Sequence, residues 1–125
     1  MAMRPAQRRN RERRGRRAES LAALALRLKG YGVLARRLRT PSGEIDLVVR
    51  RGGTVAFVEV KARPAFAAAA EAISHRQKQR IARAAAHYLA ANPRFAGLTH
   101  RFDVVLVAPR RWPRHIIDAW RESGD

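Results

Sequence analysis

Four charged residues lie on two consecutive predicted strands, at a spacing that could place two carboxylates and an ammonium group together. Apolar, mostly β-branched runs flank Gly52 and Gly53, and this pattern predicts a β-hairpin with the two glycines at its turn. Side chains alternate along a strand, so this register places all four charges on one face of the sheet. The opposed pairs are Asp46 with Glu59 and Glu44 with Lys61.

Two carboxylates that lie directly opposite each other destabilise a sheet unless something offsets their repulsion. A divalent cation does so, because hard cations prefer oxygen ligands. Asp46 and Glu59, with the backbone carbonyl of Val60, could hold Mg²⁺ or Mn²⁺, and Lys61 could orient or help deprotonate a water. Such a cation activates water and neutralises charge on a phosphate, as phosphodiester cleavage requires. The alternative is a cross-strand ion pair between Lys61 and Glu44 on a solvated face.

The charge of the chain indicates a polyanionic partner. Its 125 residues, enough for one domain, include 27 basic and 10 acidic side chains, which give a net charge of +17. A field this positive favours nucleic acid as the partner. The chain has no cysteine, which excludes disulfides and cysteine-based zinc sites. With no apolar run long enough to span a membrane and no signal peptide pattern, we expect a cytoplasmic protein without a membrane partner.

The first part of the chain divides into a basic arm and a helix. Residues 1–15 are rich in arginine and poor in apolar residues, so we expect a disordered arm, with one folded domain over residues 16–125. A helix is predicted from Arg16 to Lys29, with Glu19 in its first turn, where a carboxylate is favoured near a helix N-terminus. Its predicted buried face comprises Leu21, Leu24, Ala25 and Leu28.

The remaining segments predict a mixed α/β domain. A modest strand over 31–39 precedes the hairpin, and the apolar spacing from 71 to 91 predicts a long amphipathic helix. Residues 101–108 are nearly all apolar, as in a strand covered on both faces, and Asp103 within them could cap or pair with an arginine. Residues 115–120 predict either a short helix or a strand with a turn.

Three motifs together resemble the YraN-like family of uncharacterised bacterial proteins. They are Gly43–Leu47, Phe57–Lys61 and Arg101–Val105, and the resemblance runs from about Gly15 to Trp120. That family is similar in turn to the PD-(D/E)xK nuclease superfamily, especially to archaeal Holliday-junction resolvases. The resemblance implies a restriction-endonuclease-like fold, an αβββαβ core with a mixed central sheet flanked by helices, which agrees with the predicted order of elements.

The resemblance also implies roles for individual residues. Asp46, Glu59 and Lys61 match the nuclease triad, and Glu19 matches a helical glutamate that would be a further metal ligand beside Mg²⁺ or Mn²⁺. This chain has Ala18 where the family usually has glycine, and Gln77-Lys78 where it usually has lysine followed by glutamine. The exchange moves the basic group about 100° around the helix. The residues implied or expected to contact nucleic acid are Arg76, Gln77, Lys78 and Arg80.

These observations favour a metal-dependent endonuclease that acts on DNA rather than RNA, with branched DNA as one substrate. A homodimer is plausible, because two strands of a junction must be cut. Two alternatives stay open at this point. One is a nucleic-acid-binding module of nuclease fold without turnover, since a fold does not fix a function. The other is a basic protein associated with RNA or the ribosome.

Overall fold

The computed structural model describes residues 5–66 and 73–121, and their side chains from Gly15 onward. Two helices and five strands make up this part of the chain, together with a short 3-10 helix at Pro93–Phe95. In chain order the elements are α1 (Pro5–Leu28), β1 (Gly32–Thr40), β2 (Gly43–Arg51), β3 (Thr54–Ala62), α2 (His75–Ala91), β4 (Thr99–Val107) and β5 (Arg114–Trp120).

Helix α1 begins earlier than the sequence predicted. Its first residue is Pro5, so the backbone of 5–15 is helical, where a disordered arm was expected. Arginine has a high helix propensity, and proline is tolerated in a first helical turn, so the helix can extend without an apolar face. Residues 1–4 of the expected arm lie outside the described residues. Among the described residues, no helix is long and apolar enough to cross a membrane.

The buried face of α1 consists mainly of alanines rather than of the predicted leucines. Leu24 and Leu28 are 46% and 70% exposed, whereas Ala25 of the predicted set is buried. Small side chains let a helix lie close over a sheet. The helix therefore buries its alanines, although leucines are more hydrophobic. From Gly15 to the end of α1, where side chains are described, the buried residues are Ala18, Glu19, Ala22, Ala23, Ala25 and Leu26.

The five strands form one mixed sheet in the order β1-β2-β3-β4-β5. Strands β3 and β4 are parallel, and every other neighbouring pair is antiparallel. A parallel pair needs a crossover connection, and α2 lies between β3 and β4 in the chain. The predicted α/β class and the αβββαβ order are confirmed. The last segment, left open between helix and strand, is the strand β5.

Each face of the sheet is covered by one helix, and strand alternation separates the two packing layers. The α1-side cluster includes Ala22, Leu26, Leu47, Val49, Ala56 and Val58. The α2-side cluster includes Ile45, Val48, Phe57, Ile81, Ala85 and Tyr88. These memberships show which face each strand residue occupies.

A fully buried carboxylate ties β4 to β5 and, through Arg101, to the segment between α1 and β1. Asp103 accepts hydrogen bonds from the Arg101 guanidinium, two at 2.8 Å, from His115 Nε2 at 2.7 Å and from the Asp118 backbone at 2.9 Å. Arg101 also donates to the hydroxyl of Tyr31. Burial alone would raise the pKa of Asp103. The hydrogen bonds outweigh this effect, and the pKa is lowered to about 2. The predicted pairing of Asp103 with an arginine is confirmed.

Replacing Asp103 with asparagine is expected to destabilise the protein by about 3 kcal/mol, because it leaves buried partners of a carboxylate without their counter-charge. Urea unfolding measures the loss. Asp118→Asn is the matched control, with an expected change within about 0.5 kcal/mol, since the Asp118 side chain is exposed and pairs with Arg121. The contribution of Asp103 should be complete above its ordinary pKa of 3.8 and fall as the pH approaches 2. Equal stabilities of the two variants would contradict this account.

Candidate functional site

The hairpin has the predicted turn and, over most of its length, the predicted register. Gly52 has φ 58°, a left-handed conformation that glycine adopts without strain. The backbone pairing of β2 with β3 runs from Arg51 opposite Thr54 to Leu47 opposite Val58. Beyond Leu47, the alternation of side chains breaks.

The break lies at Asp46. Leu47 packs in the α1-side cluster and Ile45 in the α2-side cluster, although residues two apart in a regular strand share a face. Asp46 therefore does not continue the backbone pairing that the sequence predicted. Its carboxylate takes part in the pairing instead, since Oδ2 accepts a hydrogen bond from the Val60 backbone N–H at 2.8 Å.

The carboxyl groups of Asp46 and Glu59 lie close enough for Asp46 to raise the pKa of Glu59, so the two predicted partners meet. Glu59 is 8% exposed. Burial, and then the neighbouring Asp46, raise the pKa of Glu59 to about 9, while the Lys61 ammonium works in the opposite direction. At neutral pH Glu59 therefore keeps its proton.

Lys61 lies on the same face as Glu59, as predicted, whereas Glu44 does not. Strand β3 pairs with β4 without a shift up to Ala62, so Glu59 and Lys61 follow Phe57 on the α2 side. Glu44 precedes Ile45 and turns to the α1 side. The prediction that all four charges share one face is wrong for Glu44, because the break at Asp46 reverses the alternation. Among the described residues, Glu44 forms its ion pair with Arg39, at 3.2 Å, rather than with Lys61.

A cavity of about 350 Å³ lies on the α1 side of this break. Asp46 and Val60 line it together with Glu19, which α1 supplies. Asp46 thus faces the cavity and also contacts Glu59. The other charged residues along the wall are Arg16, Arg37, Arg39 and Glu44.

Glu19 is buried in this cavity and is held by two arginines. Arg37 Nε donates to its Oε2 at 3.0 Å, and Arg36 Nε lies 3.5 Å from its Oε1. In the part of the chain that the structure describes, no three histidine, aspartate or glutamate side chains stand close enough to bind one metal ion. The role of Glu19 as a metal ligand stays a prediction. Arg36 and Arg37 were not predicted as site residues. The only available signal was their position on β1, the strand that pairs with β2, which carries Asp46.

The donor chemistry of the Asp46–Glu59 pair fits a divalent cation. The carboxyl group of Glu59 can stay buried beside half-buried Asp46 only if a proton or a cation offsets the charge, and here the raised pKa of Glu59 reflects the proton. A hard cation prefers the same oxygen atoms, and its charge would favour the ionised form of Glu59. Asp46 and Glu59 are therefore the described residues that could hold Mg²⁺ or Mn²⁺.

The predicted nucleic-acid-binding residues lie in the first turns of α2. Arg76 and Arg80 are exposed, while Gln77 and Lys78 are half-buried. Ser74 caps the helix by accepting from the Gln77 N–H. Arg80 lies beside Gly43 at the start of β2, so the basic flank of α2 adjoins the strand that carries Asp46.

A larger cavity, of about 450 Å³, lies far from these carboxyl groups. It is lined by α2 and by Thr99–Phe102 at the start of β4. Lys61, which lies near the carboxyl pair, is paired with Leu106 at the other end of that strand. Its acidic residue, Asp118, is paired with Arg121. This cavity has an apolar wall and no carboxyl pair among its described residues.

The fold and the carboxyl pair define a mixed α/β protein with an acidic site where β2 parts from β3. The chain belongs to the uncharacterised protein family UPF0102, whose profile matches residues 18–107, and this confirms the YraN-like resemblance. It is 67% identical over 109 residues to a UPF0102 protein of Parvibaculum lavamentivorans, covering 87% of this chain and 82% of the relative. A UPF0102 protein of Methylobacterium nodulans is 58% identical over 118 residues, covering 93% and 92%.

Proposed function

We propose that the protein is a metal-dependent nuclease that hydrolyses phosphodiester bonds in DNA. The observation that carries this proposal is the contact between the carboxyl groups of Asp46 and Glu59 at a buried break in the sheet. Two acidic groups are rarely placed in contact without a chemical use, and perturbed carboxyl groups in a cavity are typical of functional sites. The net charge of +17 supports a polyanionic substrate.

Each residue has a role that follows from its position. Asp46 and Glu59, with the backbone carbonyl of Val60, would hold Mg²⁺ or Mn²⁺, which when bound supplies an activated water and neutralises charge on the phosphate. The Lys61 ammonium acts on the charge of Glu59 and shares its face, so it can orient a water or stabilise charge on the phosphate. Arg76 and the residues that follow it on α2 would contact the sugar-phosphate backbone without reading bases.

Cleavage of labelled DNA tests the proposal. Linear duplex, single-stranded and four-way-junction DNA are incubated with the protein in Mg²⁺, in Mn²⁺ and in EDTA, with RNA of the same sequences as a control. We expect cleavage of at least one DNA substrate in Mg²⁺ or Mn²⁺ and none in EDTA. Asp118→Asn, remote from the carboxyl pair, should cleave like the wild type. Cleavage that persists undiminished in EDTA would contradict the proposed chemistry.

A second candidate function is nucleic-acid binding without turnover. It is favoured by the contacts of Glu19, which pairs with arginines instead of with the other acids. Among the described residues, Asp46 and Glu59 are then the only acids in contact at the site. In that case DNA should bind with a steep salt dependence, a log–log slope of about −0.9 per neutralised phosphate, and remain intact in Mg²⁺. Tighter binding of RNA than of DNA at equal salt would favour an RNA-associated protein.

A further inference from the structure

We infer that Glu19 is a positioning residue that holds the guanidinium groups of Arg36 and Arg37 at the cavity beside Asp46, where the two arginines bind a phosphate of the nucleic acid. This inference rests on the proposed function for the identity of the ligand. It gives Glu19 a role different from that of a third metal ligand, and it adds two residues of β1 to the site.

The backbone of β1 is shaped so that two consecutive arginines reach one carboxylate. In a regular strand, neighbouring side chains point to opposite faces. Here Arg36 lies opposite Leu47 and Leu38 lies opposite Ile45, so β1 changes face at Arg37 as β2 does at Asp46. Arg37 has φ 50°, in the left-handed region that non-glycine residues rarely adopt.

The conformation of Arg37 costs free energy, because in the left-handed region the Cβ of a residue with a side chain lies too close to the following carbonyl oxygen. Such strain persists where surrounding contacts fix it, and it concentrates at functional sites. A glycine would remove the cost, yet the position is occupied by an arginine whose Nε donates to Glu19. The strained backbone therefore places this guanidinium.

The charges explain why Glu19 can hold both arginines firmly. A carboxylate that is 6% exposed is costly unless it is paired and hydrogen-bonded. Arg36 and Arg37 supply that pairing, and Arg36 is fixed further by a bond from Nη2 to the Ser20 hydroxyl at 3.0 Å. Glu19 is therefore anchored within a fixed cluster of opposite charge.

The two arginine side chains also keep an outward surface. Each is 42% exposed, although its partner carboxylate is buried. Arg37 donates from its Nε to Glu19, and its Nη groups form no hydrogen bond with another residue of the described part of the chain. The fork of a guanidinium binds two phosphate oxygens at once, which suits a side chain held at one edge and open at the other.

The position of the cluster connects it to the carboxyl pair. Arg37 and Glu19 line the same cavity as Asp46 and Val60. The pairs Arg36–Leu47 and Leu38–Ile45 flank Arg37 on β1 and Asp46 on β2, so the two residues lie at the same level of the sheet. A phosphate on the two guanidinium groups would thus lie beside the carboxyl pair. To become a metal ligand, Glu19 would first have to leave both arginines.

Binding measurements on substituted proteins separate the two roles of Glu19. The variants are Glu19→Gln and Arg37→Asn, because asparagine tolerates the left-handed backbone while it removes the guanidinium. Arg94→Asn removes an equal charge from an arginine that stacks on Phe95, and it is the matched control. Affinity for a short DNA duplex is measured by fluorescence anisotropy in EDTA, and Mg²⁺ affinity by calorimetry without DNA.

We expect Arg37→Asn and Glu19→Gln each to weaken DNA binding about tenfold, as the loss of charge-assisted hydrogen bonds to phosphate predicts. Arg94→Asn should weaken DNA binding no more than about twofold, and Mg²⁺ affinity should stay within about twofold in all three proteins, since none of them loses Asp46 or Glu59. The double variant should bind DNA like Arg37→Asn alone, because the two residues act through one contact. If Glu19→Gln fails to fold, Arg36→Asn replaces it with the same expectation.

A tenfold loss of Mg²⁺ affinity in Glu19→Gln, with DNA binding unchanged, would identify Glu19 as a metal ligand and overturn the inference. Unchanged DNA binding by Arg37→Asn would overturn it as well. Neither readout depends on cleavage, so the proposed function can fail separately. If the protein proves not to cleave DNA, its affinity for DNA should still fall when Arg37 is replaced.

Discussion

Replacing Asp46 with asparagine is expected to abolish DNA cleavage while the fold is retained. The asparagine Oδ can still accept the hydrogen bond from the Val60 N–H, so the thermal midpoint should change little. The substitution removes the negative charge that would hold the cation together with Glu59. A loss of about 4 kcal/mol of transition-state stabilisation corresponds to a rate reduction of roughly a thousandfold. Single-turnover cleavage measures the rate, and calorimetry measures the expected loss of Mg²⁺ affinity.

Two further substitutions separate charge from structure at this site. Asp46→Ala removes the bond to Val60 as well, so it should also lower the unfolding free energy by about 1 kcal/mol. Lys61→Ala should reduce the cleavage rate without a comparable loss of Mg²⁺ affinity, because an ammonium group is not a ligand for a cation. Cleavage at the wild-type rate by Asp46→Asn would eliminate the carboxyl pair as the reacting centre.

The order of the elements could be predicted from sequence because it depends on local patterns. Gly52 and Gly53 between two β-branched runs sufficed for the hairpin, and its first pairs follow directly from the turn. The parallel strand β4 was recognisable as an apolar run, since both of its faces are covered by helices. The contact of Asp46 with Glu59 was therefore predictable, even though its backbone geometry was not.

The change of face at Asp46 and Arg37 could not be predicted. A residue that leaves regular strand geometry is usually a glycine, and neither of these positions has one. Arg37 adopts its left-handed conformation in the folded protein, where Glu19 holds its side chain. Extrapolating a regular alternation past Leu47 consequently placed Glu44 on the wrong face. It also concealed the pair of arginines, since in a regular strand Arg36 and Arg37 never meet.

The errors in α1 have a different physical origin. The predicted face was chosen by hydrophobicity, whereas the sheet accepts a close-packed helix and buries alanines such as Ala22. The helix start was placed where apolar residues begin, although helix propensity extends to Pro5. The first error matters for the site, since the rotation of α1 is what brings Glu19 into the cavity next to Asp46.

Replacing Glu59 with glutamine is expected to remove a pH dependence of stability that the wild type shows in the absence of metal. The folded protein holds the pKa of Glu59 at about 9, far above its ordinary value of 4.5. Below pH 4.5 the carboxyl is protonated in both states, so its contribution is complete. Between pH 4.5 and 9 only the unfolded chain ionises, so stability falls as the pH rises, by at most about 1.4 kcal/mol per pH unit.

Thermal unfolding in EDTA from pH 5 to pH 9 measures this slope. Glutamine keeps the shape of the side chain and cannot ionise, so the variant should have a flatter profile and a higher midpoint than the wild type at pH 8. Glu44→Gln is the matched control, because Glu44 is exposed on the neighbouring strand and its charge is the weakest of the causes that raise the pKa of Glu59, so the slope should change little.

Addition of Mg²⁺ at pH 8 should then raise the midpoint of the wild type, since a ligand that binds only the folded state stabilises it. The Glu59→Gln variant should gain little, because one of the two charges that attract the cation is gone. An identical pH slope in the two proteins would show that Glu59 ionises normally. Stabilisation of both by Mg²⁺ to the same extent would place the cation elsewhere, and the carboxyl pair would then be a protonated contact that holds β2 against β3.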